Sequence, residues 1–324
     1  MLTVAIPTYN RERQLIQTLK YLEAQTCQDF NIFISDNNSD YDVHTAIYSN
    51  FNEEFCKKIT LRKRKVNVGG DNNIVGMFEA IYKGWLWIVS DDDVEKHDAI
   101  ETIKGYICKY RDYAVIQFSF FEYMNQEHTL TNIEEYVNLM YDKVNKNTAI
   151  PICGDFCSSL NKVYNIDLLG SNVELAFQFS NCCMTTGLVL LNALAHSKKV
   201  LITKGDFLEV GPNFWNIKRV ALAASSLGNI NLNIEYNLMK KLLYIINIPY
   251  RMPLHYWLLP ENHWDEDSYI EKLYYGFYKY HLPIKERLDY YIRMKFFSIT
   301  FIYKIHLYFV NLEHSLRNKR VENK

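Results

Sequence analysis

The sequence predicts an α/β fold organised around a parallel sheet, with a mostly helical C-terminal region. Two observations lead there. Short apolar runs alternate with stretches of helical periodicity through the N-terminal third, and strands alternating with helices of about ten to fifteen residues argue for βαβ units. Three polar clusters, Pro7–Asn10, Asp36–Asn38 and Ser90–Asp93, also fall where strands should end. In such sheets ligands bind beyond the carboxyl ends of strands, so the recurrence points to one shared crevice.

The elements follow in order. Leu2–Ile6 is apolar and reads as a buried strand that Pro7 ends, since proline cannot continue the ladder. Arg11–Gln25 carries Leu15, Ile16, Leu19 and Leu22 at helical spacing, with Asn10 as the expected N-cap. Phe30–Ser35 is the second strand, followed by the polar turn Asp36–Asp40. Val43–Phe55 reads as a helix, Ile59–Lys63 as a strand, Asn67–Asn73 as a loop around Gly69-Gly70, Ile74–Lys83 as a helix and Trp85–Val89 as a strand meeting three aspartates. Beyond residue 115 the pattern is less regular. Ala114–Phe121 and Phe156–Tyr164 read as strands, Ile133–Tyr141 as a helical piece in a polar stretch, Cys182–His196 as an apolar helix and Lys199–Thr203 as a strand. From about residue 219 onward the chain reads as helical, interrupted by Pro249, Pro253 and Pro260.

Bulk properties narrow the function classes. Hydrophobic residues make up 48% of 324, enough for a sizeable core, and 36 basic residues balance 37 acidic ones. A globally basic nucleic-acid binder is excluded, because neutralising phosphates needs surplus cations. The seven cysteines (Cys27, Cys56, Cys108, Cys153, Cys157, Cys182 and Cys183) form no C-x-x-C pair and read as reduced thiols of a cytoplasmic protein. No export signal precedes Val4-Ala5-Ile6, and no run reaches about 18 consecutive apolar residues.

The strongest chemical signal is Trp85–Asp93, an apolar strand delivering Asp91, Asp92 and Asp93 to its tip. Adjacent carboxylates repel, and a hard divalent cation held together with a diphosphate would supply the counter-charge. The plainer reading is that these aspartates cap the next helix. The remaining motifs decide between the two. Val4-Ala5-Ile6-Pro7-Thr8-Tyr9-Asn10-Arg11, then Phe33–Asp40, then Asn67-Val68-Gly69-Gly70 with Asn72-Asn73, then Ser90-Asp91-Asp92-Asp93 resemble, in order and spacing, the family 2 glycosyltransferases. The Ser-Asp-Asp-Asp form is most similar to the branch that builds bacterial surface polysaccharides, including abequosyltransferase-like enzymes. The resemblance covers roughly the first third of the chain and fits the rest loosely.

What the resemblance implies is specific. The fold would be GT-A, a Rossmann-like mixed sheet flanked by helices. Residues 1–218 would form the catalytic domain, with 1–115 binding the nucleotide-sugar and 116–218 the acceptor, and 219–324 would be the helical region. Pro7, Thr8 and Tyr9 would line the nucleotide-base pocket, with Arg11 toward phosphate. Asp36 would accept a hydrogen bond from the base, with Asn38 close by. Asn67 and Asn73 would border ribose and diphosphate, and Asp91 the ribose or sugar hydroxyls. Asp92, joined by Asp93, would hold Mn²⁺ or Mg²⁺. The reaction would be an inverting displacement in which a general base deprotonates an acceptor hydroxyl while a nucleoside diphosphate leaves.

At the base the sequence departs from the family. Many relatives open an acceptor-side helix with a Glu-Asp pair, whereas here the start reads Ser180-Asn181-Cys182-Cys183-Met184. Asp155 and Glu174 are the leading substitutes, ahead of Asp206 and Glu209; each could equally be a surface carboxylate. His196, near a helix C-terminus, reads as a capping residue. Tyr290–Val310 mixes aromatic and basic residues, which suits either an interfacial helix reaching a lipid-linked saccharide acceptor at the inner face of the cell membrane or packing against the catalytic domain or a second subunit of a homo-oligomer. Two competing readings remain: a sugar-phosphate nucleotidyltransferase, which normally opens with a glycine-rich loop that Leu2–Arg13 lacks, and a non-catalytic binding protein of the same fold.

Overall fold

In a computed structural model, which describes residues 1–91, 94–120, 124, 126–146, 152–180, 182–209, 230 and 232–246, the chain builds an eight-stranded mixed sheet flanked by helices. The elements run β1 (Leu2–Thr8), α1 (Glu12–Glu23), β2 (Asn31–Asp36), α2 (Val43–Tyr48), α3 (Glu53–Cys56), β3 (Ile59–Lys63), α4 (Gly70–Ala80), β4 (Trp85–Ile88), β5 (Val94–Glu95) and α5 (Ala99–Lys109). Then follow β6 (Val115–Ser119), β7 (His128–Leu130), α6 (Ile133–Lys146), α7 (Ile152–Cys157), β8 (Lys162–Asn165), α8 (Ile166–Leu169), α9 (Glu174–Gln178), α10 (Thr185–Ala195), β9 (Val200–Lys204), β10 (Leu208–Glu209) and α11 (Tyr236–Ile246). The sheet order is β3-β2-β1-β4-β8-β6-β9-β7, and β10 pairs with β5 as a separate ribbon. By contacts the chain divides into Met1–Phe214 and Trp215–Lys324.

Strands β1 to β4 are parallel, as the alternation of elements requires. β8 runs antiparallel to both β4 and β6, which makes the sheet mixed and brings the start of β8 to the edge where β4 and β6 end. The core forms where periodicity says it should. Leu2, Val4 and Ile6 share a buried cluster with Leu15, Leu19 and Leu22 of α1 and with Trp85 and Trp87 of β4. Each such side chain contributes about 1.5–3 kcal/mol on burial.

Several boundaries differ from expectation, each for a physical reason. β1 passes through Pro7 to Thr8. Thr8 turns its carbonyl to β2, where it accepts from the Asn37 amide, so Pro7 faces β4; the β1–β4 ladder stops at Ala5–Ile88, and the missing proline N–H costs no bond. Asn10 is not the cap of α1. Its backbone is left-handed (φ 53°), and its side chain exchanges hydrogen bonds with Asp40 (2.7 and 2.8 Å), leaving Arg11 as an N-cap whose side chain does not cap the helix. The expected helix Val43–Phe55 is two helices, capped by Asp42 and by Asn52, whose side chain accepts from the Phe55 amide. α4 begins at Gly70 rather than Ile74, directly after Gly69, whose φ of 85° makes the turn that only glycine adopts freely. The stretch Phe156–Tyr164 is not one strand: Phe156 and Cys157 close α7, and β8 starts at Lys162. Short buried apolar runs carry no period that separates strand from helix.

In the second unit α11 buries Met239, Leu242 and Ile245 along one face. The expected segment Tyr290–Val310, the three prolines and the boundary at 218/219 lie outside the described residues. Among the described residues no helix is long and apolar enough to cross a membrane.

Candidate active site at the carboxyl edge of the sheet

Because β1, β2 and β4 are parallel neighbours, their carboxyl ends meet at one rim. Pairing continues just past the strands, with the Val89 amide donating to Ala5 O (3.0 Å) and the Asn37 amide to Thr8 O (2.9 Å). Side chains then link across it. Thr8 Oγ1 donates to Asp91 Oδ2 at 3.0 Å, and the Arg11 guanidinium pairs with Asp91 Oδ1 at 2.6 Å. The Asp91 carboxylate is nearly inaccessible and is offset by Arg11, as burial of a charge demands. Arg11, expected toward phosphate, is thus joined to the acidic tip of β4.

Asp36, at the end of β2, is wholly buried. Its Oδ1 accepts from the Ser39 amide at 2.8 Å. Oδ2 makes no hydrogen bond among the described residues, and Lys63 Nζ stands 3.9 Å away. A buried carboxylate oxygen without a donor costs free energy unless something else supplies one. Tyr41 lies near the same strand ends, its hydroxyl pKa pushed up to about 12, chiefly by burial. Tyr9 is exposed at the rim (41%), and Pro7 is half-buried.

The loop before α4 is pinned to β2 by asparagines. Asn37 Nδ2 donates to Asn67 Oδ1 (2.7 Å), Asn37 Oδ1 accepts from the Val68 amide (3.0 Å), and Asn67 Oδ1 also accepts from the Gly69 amide (2.9 Å). Asn37 thus orders the loop, and Asn38, expected close to the base, takes the left-handed turn position beside it (φ 72°). Asn73 is buried, and its amide is spent inside the protein: it accepts from Ser35 Oγ (2.7 Å) and Arg64 Nε (2.8 Å) and donates to Ser35 O (2.8 Å). These bonds lock α4 onto β2.

The two expected base candidates, Asp155 and Glu174, are bonded within the protein. Asp155, in α7, has no solvent exposure; Oδ2 accepts from Ser119 Oγ (2.5 Å) and Oδ1 from the Phe120 amide (3.0 Å) and Asn161 Nδ2 (3.1 Å). Beside it the buried Lys162 ammonium donates to Asp155 O (2.6 Å), Ser158 O (2.8 Å) and Asn161 Oδ1 (2.8 Å). Burial raises the Asp155 pKa and lowers that of Lys162 to about 7. This network seals the junction of β6, α7 and β8. Glu174 accepts from Asn192 Nδ2 (2.9 Å) and stands 4.0 Å from His196 Nε2, near the C-terminal end of α10. That is about 10 Å along the axis from the helix start. His196 is the C-cap of α10, its Nδ1 donating to Asn192 O (2.9 Å). Asp206 is exposed and paired with Lys204 at 2.8 Å.

Asp71, which no motif marks, crosses from α4 to accept the Cys183 amide at 2.9 Å, just before α10. A bond between residues 112 apart leaves no trace in sequence spacing. The expected metal ligands Asp92 and Asp93 lie outside the described residues. Among the described residues no group of three or more His, Cys, Asp or Glu could hold a metal ion. Asp91 itself is bonded to Thr8 and Arg11.

Comparison with known proteins fits this architecture. The crystal structure of S. aureus TarS 1–349 superposes with a TM-score of 0.55 at 13% identity, covering 86% of this chain and 81% of that one. The same protein in complex with UDP gives 0.54 at 14% identity (84% and 80% covered), and with UDP-GlcNAc 0.53 at 13% (85% and 79%). At such identities the likeness is one of fold. No curated protein matches the sequence. The sequence does match the family described as glycosyl transferase family 2 over residues 3–169, which span β1 through α8 and include every strand end of the rim. The chain therefore belongs to glycosyl transferase family 2 and is a glycosyltransferase of GT-A fold.

Proposed function

We propose that this glycosyltransferase moves a sugar, with inversion, from a nucleoside-diphosphate sugar to a saccharide acceptor. The observation that carries the donor assignment is Asp36: a buried carboxylate oxygen without a hydrogen bond among the described residues, at the rim where β1, β2 and β4 end together. A nucleobase N–H of the uracil type is the donor it lacks. Tyr9 offers its exposed ring to the base, Pro7 and Thr8 shape the pocket wall, and the Asn37–Asn67 linkage holds the loop that borders ribose and diphosphate. Arg11 and Thr8 fix Asp91 near the ribose or sugar hydroxyls.

The carboxylates of Asp92 and Asp93 are hard oxygen donors of the kind Mn²⁺ and Mg²⁺ take, and they would hold such a cation. Bound there, it would offset the charge growing on the departing diphosphate. The chain's own residues orient the donor and exclude water from the buried side of the rim. TarS is described in complex with UDP and with UDP-GlcNAc, which makes uridine donors the first to try. The similarity of the Ser-Asp-Asp-Asp motif to surface-polysaccharide enzymes favours a lipid-linked saccharide acceptor in capsule or O-antigen synthesis. That acceptor would be met at the inner membrane face through the basic, aromatic segment near the C-terminus.

The test is release of nucleoside diphosphate from a panel of nucleotide sugars, with Mn²⁺, with Mg²⁺ and with chelator. Metal-dependent release from one donor, abolished by Asp92→Ala, is expected. Release unaffected by chelator or by the substitution would remove the cation from the assignment, and no release from any donor would overturn the activity.

A further inference from the structure

Glycosyl transfer needs a base within hydrogen-bond reach of the acceptor hydroxyl. The described carboxylates around the rim are mostly committed. Asp36, buried at the end of β2, is given to the nucleobase, and Asp91 is bound by Thr8 and Arg11. Asp155 has no exposure and serves Ser119, Phe120 and Asn161, while Glu174 stands at the far end of α10.

Asp71 differs in both position and exposure. It is half-buried and second in α4, immediately after the Asn67–Gly69 loop that Asn37 ties to the carboxyl end of β2. Its Oδ2 accepts the Cys183 amide at 2.9 Å, two residues ahead of α10. On its other side, α10 is anchored to the acceptor half: Thr186 Oγ1 donates to Cys157 O (3.0 Å) and Ser158 O (3.1 Å), just before β8. The start of α10 thus lies between the donor-binding half and the acceptor half, and Asp71 brings a carboxylate to that junction. α10 opens with no acidic residue of its own, and its positive end favours a carboxylate there. The bond to Cys183 holds Oδ2 at the start of α10.

We propose that Asp71 is the general base, supplied from the donor half to the start of the acceptor-side helix; this rests on the glycosyl-transfer reading above. In the step, the acceptor O–H gives its proton to the Asp71 carboxylate while its oxygen forms a bond to the anomeric carbon. The bond from that carbon to the diphosphate oxygen breaks, its electron pair stays on the diphosphate, and protonated Asp71 then returns the proton to water.

Asp71→Asn separates this role from a structural one, because the amide oxygen of asparagine still accepts the Cys183 N–H. The readouts are steady-state release of nucleoside diphosphate from the donor the wild type turns over, with water as acceptor in Mn²⁺, together with calorimetric binding of that diphosphate and thermal melting. Release is expected to fall at least about 100-fold, with the dissociation constant within about threefold and melting unchanged. Formate is expected to restore part of the rate to Asp71→Ala, since a small carboxylate replaces a missing base but not a missing interhelix bond. Release by Asp71→Asn within about tenfold of wild type overturns the proposal. So does loss of diphosphate binding and melting together with activity, or loss of turnover in Asp206→Asn with none in Asp71→Asn. A wild type that releases nothing from any donor overturns the glycosyl-transfer reading, and the base with it.

Discussion

Removal of Asp155 gives a quantitative view of how the acceptor half is held together. Its carboxylate receives Ser119 Oγ, the Phe120 amide and Asn161 Nδ2, all without solvent. In Asp155→Ala the Phe120 amide and the Ser119 hydroxyl lose that acceptor, each at about 1–3 kcal/mol, while Asn161 Nδ2 keeps the residue 155 backbone oxygen (3.0 Å), and the vacated space adds to the cost. A total of about 4 kcal/mol follows. In a unit of this size, spanning Met1–Phe214, each kcal/mol shifts the melting point by about 2–4 °C, so melting should fall by about 10 °C. Asp155→Asn behaves differently. Its amide oxygen can keep Phe120 and Asn161, and its NH₂ can donate to the Ser119 hydroxyl, so the loss should stay near about 1 kcal/mol. Melting followed by circular dichroism, with nucleoside diphosphate release measured alongside, tests both. A melting point for Asp155→Ala within about 3 °C of wild type would refute the reasoning. So would an Asp155→Asn that melts normally yet loses turnover about 100-fold, the signature of a base.

Lys162 links stability to pH. Burial lowers its pKa from the ordinary 10.5 to about 7, so between those values the unfolded chain binds a proton that the folded chain does not. Stability from this group therefore rises with pH across that window. Calorimetry should show the melting point climbing from about pH 7 to about pH 9 more in wild type than in Lys162→Met; equal slopes would count against it. Gly187 meets Phe156, where an added Cβ would sit 2.5 Å from the ring and 2.6 Å from the backbone oxygen. Gly187→Ala should cost about 1–3 kcal/mol, read as a lower denaturant midpoint, and an unchanged midpoint would mean that α10 moves freely away from α7. Asp36→Asn should weaken binding of the nucleoside diphosphate at least about tenfold without lowering the melting point, because it replaces an acceptor oxygen by a donor. Unaltered affinity by calorimetry would take Asp36 out of the pocket.

The donor half was open to reading because its strands are continuous apolar runs and its polar residues lie at their ends. Parallel pairing alone then brings Thr8, Asp36 and Asp91 to one rim. The acceptor half was harder. Phe156–Tyr164 is apolar with no telling period, and the fate of Asp155 depends on Ser119 and Asn161, whose proximity only the tertiary fold creates. The same holds for Asn37, whose bond to Asn67 depends on a loop thirty residues away. Asp71 belongs to this class as well, since its partner lies across the sheet rim in another half of the domain.

A crystal of the protein grown with manganese and the nucleotide sugar it hydrolyses would locate the donor. The base should lie against Tyr9 with an N–H on Asp36 Oδ2, and the diphosphate should meet a cation held by Asp92 at the tip of β4. A nucleotide bound away from the ends of β1, β2 and β4, or one whose base leaves Asp36 untouched, would contradict the assignment.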